Sequence, residues 1–225
     1  MRKAVLHLKK SDPLMRAIIE RVGPCRMEYG DPNFHSLAEA IVYQQLNGKA
    51  AATIFKRFTA LAGDPVTPAG ILTSSAEQLR AVGLSKQKSS YLFDMAERAQ
   101  RGDLDFSRLD GMTDEEVVEH LTQVKGVGVW TAHMFLMFTL KRENVLPIGD
   151  FGIRMAMYKN YLERAAKRKN GSGRSIKKNA RAKPAKEKIT LPTPEQMEKI
   201  AKRWEPFRSI ACWYLWRSLD VETIG

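Results

Sequence analysis

Two short stretches in the second half of the chain combine residue types that support chemistry. The first is Lys125-Gly126-Val127-Gly128, which lies between two helical patterns. Two glycines in three residues permit a sharp turn and a close approach of the backbone to a partner. The helix that follows would present free N–H groups at its start, and such groups favour an anion such as phosphate. The pattern predicts either a hairpin that grips one backbone phosphate or an ordinary turn between two helices.

The second stretch is Gly149-Asp150-Phe151, about twenty residues further along the chain. Asp150 stands where a helix is predicted to begin, and an aspartate there commonly caps the helix by accepting backbone N–H groups. The same carboxylate, placed in a pocket, can stabilise a sugar cation or orient a water molecule. The residues alone leave both roles open.

The elements that must position these stretches are helices. Helical spacing of apolar residues covers nearly every periodic stretch and alternating strand patterns are absent, so the predicted fold class is all-α. Asn47-Gly48 interrupts the long pattern of residues 33–63, which predicts two helices with a tight corner at residues 44–48. Residues 129–140 are apolar almost all round and predict a buried helix. Caps or prolines predict further helix starts at Asp12-Pro13, Ser75, Ser85, Thr113, Asp150, Thr193 and Pro206.

The net charge of +12 is concentrated in one segment. Residues 164–188 contain eleven basic residues and one acid, whereas the other 200 residues contain 26 basic and 24 acidic ones. Because like charges repel and large apolar residues are few, this segment is predicted to be a flexible basic insert. It is interpreted either as a solvated linker or as a non-specific contact with an anionic polymer such as nucleic acid.

Composition also excludes several classes of protein. The two cysteines, Cys25 and Cys212, are too few for a disulfide framework, a four-thiolate cluster or a zinc site of their own. We therefore expect no cofactor for catalysis. The chain lacks the run of about 18 apolar residues that a membrane-spanning helix needs, and its N-terminal apolar stretch is too short for a secretory signal. An intracellular protein without a membrane partner is expected.

Four ordered motifs give the chain a resemblance to a known family. The stretch Lys125-Gly126-Val127-Gly128-Val129-Trp130-Thr131-Ala132, followed by Gly149-Asp150, resembles the helix-hairpin-helix DNA glycosylase superfamily. Its alkylation-repair branch, the 3-methyladenine DNA glycosylase II proteins, is matched by three further motifs, which are IVYQQLNGKAA at residues 41–51, Gly83-Leu84-Ser85 with Lys88, and RWEPFRSIACWYLW at residues 203–216. The resemblance covers residues 12–217 apart from the basic insert.

The resemblance implies a fold and a catalytic group. The implied architecture is a single domain over residues 1–225, with the hairpin at residues 113–140 and two helical subdomains that flank an active-site cleft. Asp150 matches the family's catalytic aspartate. Trp130 stands where bifunctional members keep a nucleophilic lysine, which implies a monofunctional enzyme that uses water. The residues implied to line the base pocket are Trp130, Met134, Phe151 and Trp216, and Met134 replaces a tyrosine of one relative.

The resemblance also implies how DNA is held. Leu46 matches the residue that inserts into the base stack; without that context it would be interpreted as a core leucine. The backbone carbonyls of Thr122, Val124 and Val127 match those that hold a monovalent cation, sodium or potassium, in the family. The residues implied to contact DNA are Gln45, Leu46, Lys125, Gly126, Val127, Gly128 and Thr131.

These observations predict a monofunctional DNA glycosylase that removes alkylated purines, 3-methyladenine above all, from double-stranded DNA by base flipping. An alkylated purine carries positive charge, so it stacks well on electron-rich rings and is already a good leaving group. A monomer is expected, located in the cytoplasm or nucleoid of a bacterium or in a eukaryotic nucleus. Two alternatives remain: a bifunctional glycosylase/lyase for oxidised bases, and a hairpin-containing DNA-binding module without catalysis.

Overall fold

The computed structural model describes residues 1–163 and 189–222 of the chain. The predicted basic insert at residues 164–188 lies outside these described residues. Within them every regular element is a helix and no strand occurs, which confirms the all-α prediction. No helix in the described ranges is long and apolar enough to cross a bilayer.

The described residues form twelve α-helices joined mostly by short turns. Three irregular helical segments accompany them: 3₁₀ turns at Phe106–Gly111 and Lys202–Trp204, and a π-helical turn at Tyr158–Leu162. The α-helices are α1 (Arg2–Ser11), α2 (Pro13–Val22), α3 (Phe34–Tyr43), α4 (Gly48–Ala62), α5 (Pro68–Leu72), α6 (Ala76–Ala81), α7 (Lys86–Arg101), α8 (Asp114–Thr122), α9 (Val129–Phe138), α10 (Phe151–Met157), α11 (Pro194–Ala201) and α12 (Arg208–Glu222).

Side-chain caps explain where most of these helices begin. The capping boxes predicted at Ser75, Thr113 and Thr193 are all present, with reciprocal bonds between the cap and the third helical residue. The predicted corner also exists, because α3 ends at Tyr43 and Asn47 caps α4. Cap chemistry is local, so the sequence alone was sufficient to place these helix starts.

Four details differ from the sequence prediction. Helices α1 and α5 were not predicted, and α1 has no side-chain cap that would signal its start. The pattern from residue 151 onward turns into a π-helical segment, which no periodicity predicted. Helix α12 begins at Arg208, two residues after Pro206. Helix α9 is not buried throughout, because Val129 is 54% exposed and Trp130 is 49% exposed in its first turn.

The helices divide into two compact units, and each is described by itself. The first unit comprises Met1–Met27 together with the described residues from Leu146 onward; the second is Glu28–Val145. Two units agree in number with the two expected helical subdomains, while the expected cleft stays a prediction.

A buried carboxylate organises the first unit. Asp12 caps α2 through its Oδ1, which accepts the backbone N–H of Leu14 at 2.9 Å and that of Met15 at 3.2 Å. Its Oδ2 accepts the Tyr161 hydroxyl and the Trp204 indole N–H, each at 2.9 Å. Asp12 therefore joins the N-terminal helices to two distant segments and satisfies two buried donors that would otherwise destabilise the core.

Helix α7 is central to the second unit. It packs against α3, α5 and α6, and α8 packs against α9. Leu92 and Met95 of α7 are fully buried, together with Leu37 and Ile41 of α3. Helix α7 also contacts two loops identified in the sequence analysis. These are the turn between α8 and α9 and the corner between α3 and α4.

Candidate functional site

The turn between α8 and α9 is a tight hairpin. Gly126 has a φ of 82°, a left-handed conformation that favours glycine. A Cβ at this position would lie 2.1 Å from a ring carbon of Tyr91, so the turn packs directly on that ring. The backbone N–H of Lys125 donates to the Oδ2 of Asp94 at 2.8 Å. Two residues of α7, Tyr91 and Asp94, thus support the hairpin.

The start of α9 differs from most helix starts in this chain. Gly128 is its N-cap and supplies no side-chain acceptor, whereas side chains cap α2 to α8, α10 and α11. The Lys125 side chain and Gly128 are exposed. An uncapped helix N-terminus next to an exposed lysine is suited to bind a phosphate group, through both its N–H groups and its dipole.

A second exposed feature is the corner between α3 and α4, residues 44–47, here called the wedge loop. Leu46 is 38% exposed, so it is not a core leucine. Gln45 has a φ of 57°, a left-handed conformation that is uncommon for a residue with a side chain. The Gln44 side-chain amide donates to the carbonyl of Gly126 at 3.1 Å and approaches the Thr131 hydroxyl at 3.4 Å. The wedge loop is therefore joined to the hairpin.

A lysine supports the wedge loop from α7. The Lys88 ammonium donates to the carbonyls of Val42 and Gln44, each at 2.7 Å. Partial burial lowers the pKa of Lys88 by desolvation. The two carbonyls lie at the C-terminal end of α3, where a positive charge interacts favourably with the helix dipole.

Wedge loop and hairpin share a cavity of about 570 Å³ within the second unit. Two residues expected in the base pocket, Trp130 and Met134, line this cavity together with Gln45 and Leu46, which were expected to contact DNA. Its volume is in the range of small-molecule sites. Gly126 and Thr131, also expected to contact DNA, line it as well, so the structure brings six of the predicted residues into one place. The remaining lining residues are Ala40, Tyr43 and Gln44.

Two residues expected to contact DNA have buried side chains. Val127 is 4% exposed and Thr131 is 5% exposed. Side chains this buried offer little surface to a partner, so contact with DNA at these two positions would use the backbone. Thr131 instead faces the Gln44 amide, and contact through the backbone of either residue stays a prediction.

Asp150 lies in the first unit, at the N-terminus of α10. Its side chain is almost completely buried, at 8% exposure. Its Oδ1 accepts the backbone N–H of Ile153 at 2.7 Å and the indole N–H of Trp216 at 2.9 Å. The predicted cap is confirmed, and a second donor from α12 fixes the orientation of the same carboxylate. Beside it, Phe151 is 66% exposed.

Gly152 makes this arrangement sterically feasible. A Cβ at Gly152 would lie 2.9 Å from a ring carbon of Trp216 and 3.2 Å from the Oδ1 of Asp150. Contacts this short would displace the indole or the carboxylate. The fully buried Cys212 has a raised pKa because of desolvation and, secondarily, the negative charge of Asp150. Its thiol is therefore neutral near this site.

Several functional residues were missed because their roles depend on tertiary contacts. Gly152 lies two residues after Asp150, yet only the packing of α12 shows why a side chain is excluded there. Lys88 was noted within a motif without a role. On α7, Lys88, Tyr91 and Asp94 recur every three residues, a spacing that places them along one stripe of a helix. That spacing was the available signal, but it is shared with many helices that only pack.

The part of the chain that the structure describes contains no group of three or more His, Cys, Asp or Glu residues arranged to hold a metal ion. The monovalent cation implied at the hairpin would bind backbone carbonyls instead. The carbonyl of Val124 accepts the N–H of Val127 at 3.0 Å, and its second lone pair leaves capacity for a cation.

Comparison with known proteins agrees with this geometry. A model of the HhH-GPD superfamily of base excision DNA repair proteins matches residues 38–182. DNA-3-methyladenine glycosylase 1 of Schizosaccharomyces pombe is 33% identical over 96% of this chain and 86% of its own length.

Two solved structures are similar over nearly their full length. The S. pombe 3-methyladenine DNA glycosylase Mag1, in complex with abasic DNA, has a TM-score of 0.72 and 32% identity, and the match covers 95% of each chain. A DNA-3-methyladenine glycosidase of Bacillus halodurans has a TM-score of 0.72 and 31% identity, with 99% of this chain and 96% of that chain covered. On these matches, the chain belongs to the HhH-GPD superfamily of base excision DNA repair proteins.

Proposed function

We propose that this protein is a monofunctional DNA glycosylase that excises alkylated purines from double-stranded DNA and leaves an abasic site. The observation that carries the proposal is the carboxylate of Asp150, held at a helix N-terminus by the N–H groups of Ile153 and Trp216. A carboxylate fixed in this way is prepared to stabilise positive charge as it develops on a sugar.

The chemical step needs one carboxylate. An N3- or N7-alkylated purine is cationic, so it leaves with the electron pair of the N-glycosidic bond and needs little acid catalysis. The sugar then develops oxocarbenium character, which the negative charge of Asp150 stabilises. Water adds to the anomeric carbon and loses a proton, and the products are the free base and an abasic site.

Base extrusion is assigned to the second unit. Leu46 is exposed on the wedge loop and is suited to fill the space that a flipped nucleotide leaves. The uncapped start of α9 and Lys125 hold the DNA backbone, which positions the protein without reading sequence. Such contacts allow the protein to bind duplex DNA of any sequence.

The substrate class is supported by two observations. Trp130 is 49% exposed and lines the cavity beside Leu46, so its ring is accessible to a cationic base. The S. pombe relative is named a DNA-3-methyladenine glycosylase. Methylated purines are therefore the proposed substrates, with 3-methyladenine first.

Two further features are part of the proposal. Trp130 has no amine, so it cannot form the Schiff base that strand cleavage by a bifunctional enzyme requires. A sodium or potassium ion at the carbonyls of Thr122, Val124 and Val127 would add positive charge at the hairpin, where a phosphate is expected. We propose a monomer that acts where the cell keeps its DNA.

The direct test uses duplex oligonucleotides that each contain one defined lesion, with abasic sites scored after incubation. Excision of 3-methyladenine supports the proposal. Asp150→Asn should abolish excision while lesion-DNA affinity stays within a few-fold, since the carboxylate acts on the transition state. Substantial turnover by this variant would refute the catalytic assignment. Borohydride trapping of a covalent enzyme–DNA adduct would instead support the bifunctional alternative.

A further inference from the structure

We propose that Lys88 is a positioning residue for base extrusion. It fixes the position of the wedge loop relative to the hairpin, so that Leu46 inserts into the base stack while the hairpin binds the DNA backbone. The proposal rests on the function proposed above and adds a residue to it. Lys88 lies in the first turn of α7, and its side chain is half-buried.

The first step of the argument is the contact itself. One ammonium group binds two carbonyls at the end of α3, those of Val42 and Gln44, both at 2.7 Å. The second of these belongs to the wedge loop. Bonds from a charged donor are stronger and shorter than those between neutral groups. Lys88 therefore fixes the path of the backbone where α3 ends and the wedge loop begins.

The second step is the strain in the loop. Gln45 is in the left-handed region at φ 57°, and a residue with a side chain keeps that conformation only when its surroundings hold it. Its neighbour Gln44 is held at both ends, by Lys88 at the carbonyl and by Gly126 at the side-chain amide. This clamp keeps Gln45 strained and Leu46 exposed.

The third step is the shared platform. Tyr91 packs against Gly126, and Asp94 accepts the N–H of Lys125, so the face of α7 that carries Lys88 also supports the hairpin. Arg98 donates to the same oxygen of Asp94 at 3.0 Å and fixes its orientation. One rigid helix thus sets the position of both DNA-contacting loops, and Lys88 is its contact with the wedge loop.

The test compares Lys88→Met with Lys88→Arg. Methionine keeps the apolar stem and removes the donors, while arginine keeps a charged donor for both carbonyls. Lys86→Met is the matched control, because Lys86 is an exposed lysine of the same helix and its replacement removes the same charge.

Hydrogen exchange of the DNA-free protein is the first measurement. Lys88→Met should accelerate exchange at residues 44–48 by about tenfold while the amides of α7 keep their protection. Lys88→Arg and Lys86→Met should match the wild type. Unchanged exchange in Lys88→Met would overturn the proposal whether or not the protein excises any base, so its failure is distinct from failure of the proposed function.

Single-turnover excision is the second measurement. Lys88→Met should lower the rate on a paired lesion by about tenfold or more, and the rate on the same lesion in an unpaired bubble by no more than about threefold. Lys88→Arg should restore the paired rate. Equal losses on the two substrates would show a general structural role and overturn the proposal. Should Lys88→Met fail to fold, Lys88→Gln replaces it in both measurements, because its neutral amide stands on a shorter side chain and has lost the charged donor.

Discussion

The indole N–H of Trp216 and the backbone N–H of Ile153 both donate to the same oxygen of Asp150, at 2.9 Å and 2.7 Å. The first donor comes from α12 and the second from α10, so the carboxylate is oriented by two elements that are far apart in sequence. Trp216 was expected to line the base pocket as an aromatic surface. Its hydrogen bond adds a different role, which is to orient the carboxylate of Asp150.

Gly152 offers a test of that orientation. Gly152→Ala should lower the single-turnover rate by about tenfold or more, because the new methyl group displaces the Trp216 indole or the Asp150 carboxylate. Lesion-DNA affinity should change little. Gly149→Ala is the matched control, since a Cβ there meets nothing within 4 Å. Wild-type kinetics in Gly152→Ala would contradict the inference that this spacing matters.

Leu46 offers a test of the wedge. Leu46→Ala should lower excision more on a paired lesion than on the same lesion in a single strand, because only the duplex needs its gap filled after flipping. Stability should hardly change, since Leu46 is 38% exposed. Single-turnover rates on the two substrates and a thermal melt measure both effects. If both rates fall by the same factor, Leu46 is not a wedge.

Substitutions at the two hairpin glycines should have different effects, one on stability and the other on DNA binding. Gly126→Ala should destabilise the fold by about 1–3 kcal/mol, because its methyl group would overlap the Tyr91 ring and φ is positive. A Cβ on Gly128 meets nothing within 4 Å, so Gly128→Ala should fold with a loss of about 1 kcal/mol or less. Gly128→Ala should nevertheless weaken DNA binding, because its methyl group would obstruct a phosphate at the N-terminus of α9. Denaturant titration and a binding assay on undamaged duplex distinguish the two. Unaltered affinity in Gly128→Ala would place the phosphate elsewhere.

Asp12 should be the most sensitive polar position of the first unit. Asp12→Ala removes the cap of α2 and leaves the buried Tyr161 hydroxyl and Trp204 indole without their acceptor. We expect a loss of about 3–5 kcal/mol in the free energy of unfolding. Asp12→Asn keeps the capping oxygen, so its loss should be smaller. Equal stability of Asp12→Ala and wild type, measured by urea denaturation, would rule out this role.

The sequence determined the helical content and most helix starts. Caps at Ser75, Thr113 and Thr193 act within four residues, so they are legible without tertiary contacts. It also identified Asp150 as a helix cap and Asn47-Gly48 as a corner. Helix α1 was missed because its stability comes from burying Ala4 and Leu8 against other helices, not from local signals.

The tertiary structure decided what these residues do to each other. Lys88 and the carbonyl of Gln44 are 44 residues apart, and Trp216 lies 66 residues from Asp150. No local pattern encodes such pairs, because they form only when helices pack in a particular register. The same packing brings the Thr131 hydroxyl to the side-chain amide of Gln44 and leaves the first turn of α9 exposed. Residue types and spacing therefore predicted the kind of chemistry, whereas long-range packing set the orientation of the side chains proposed to perform it.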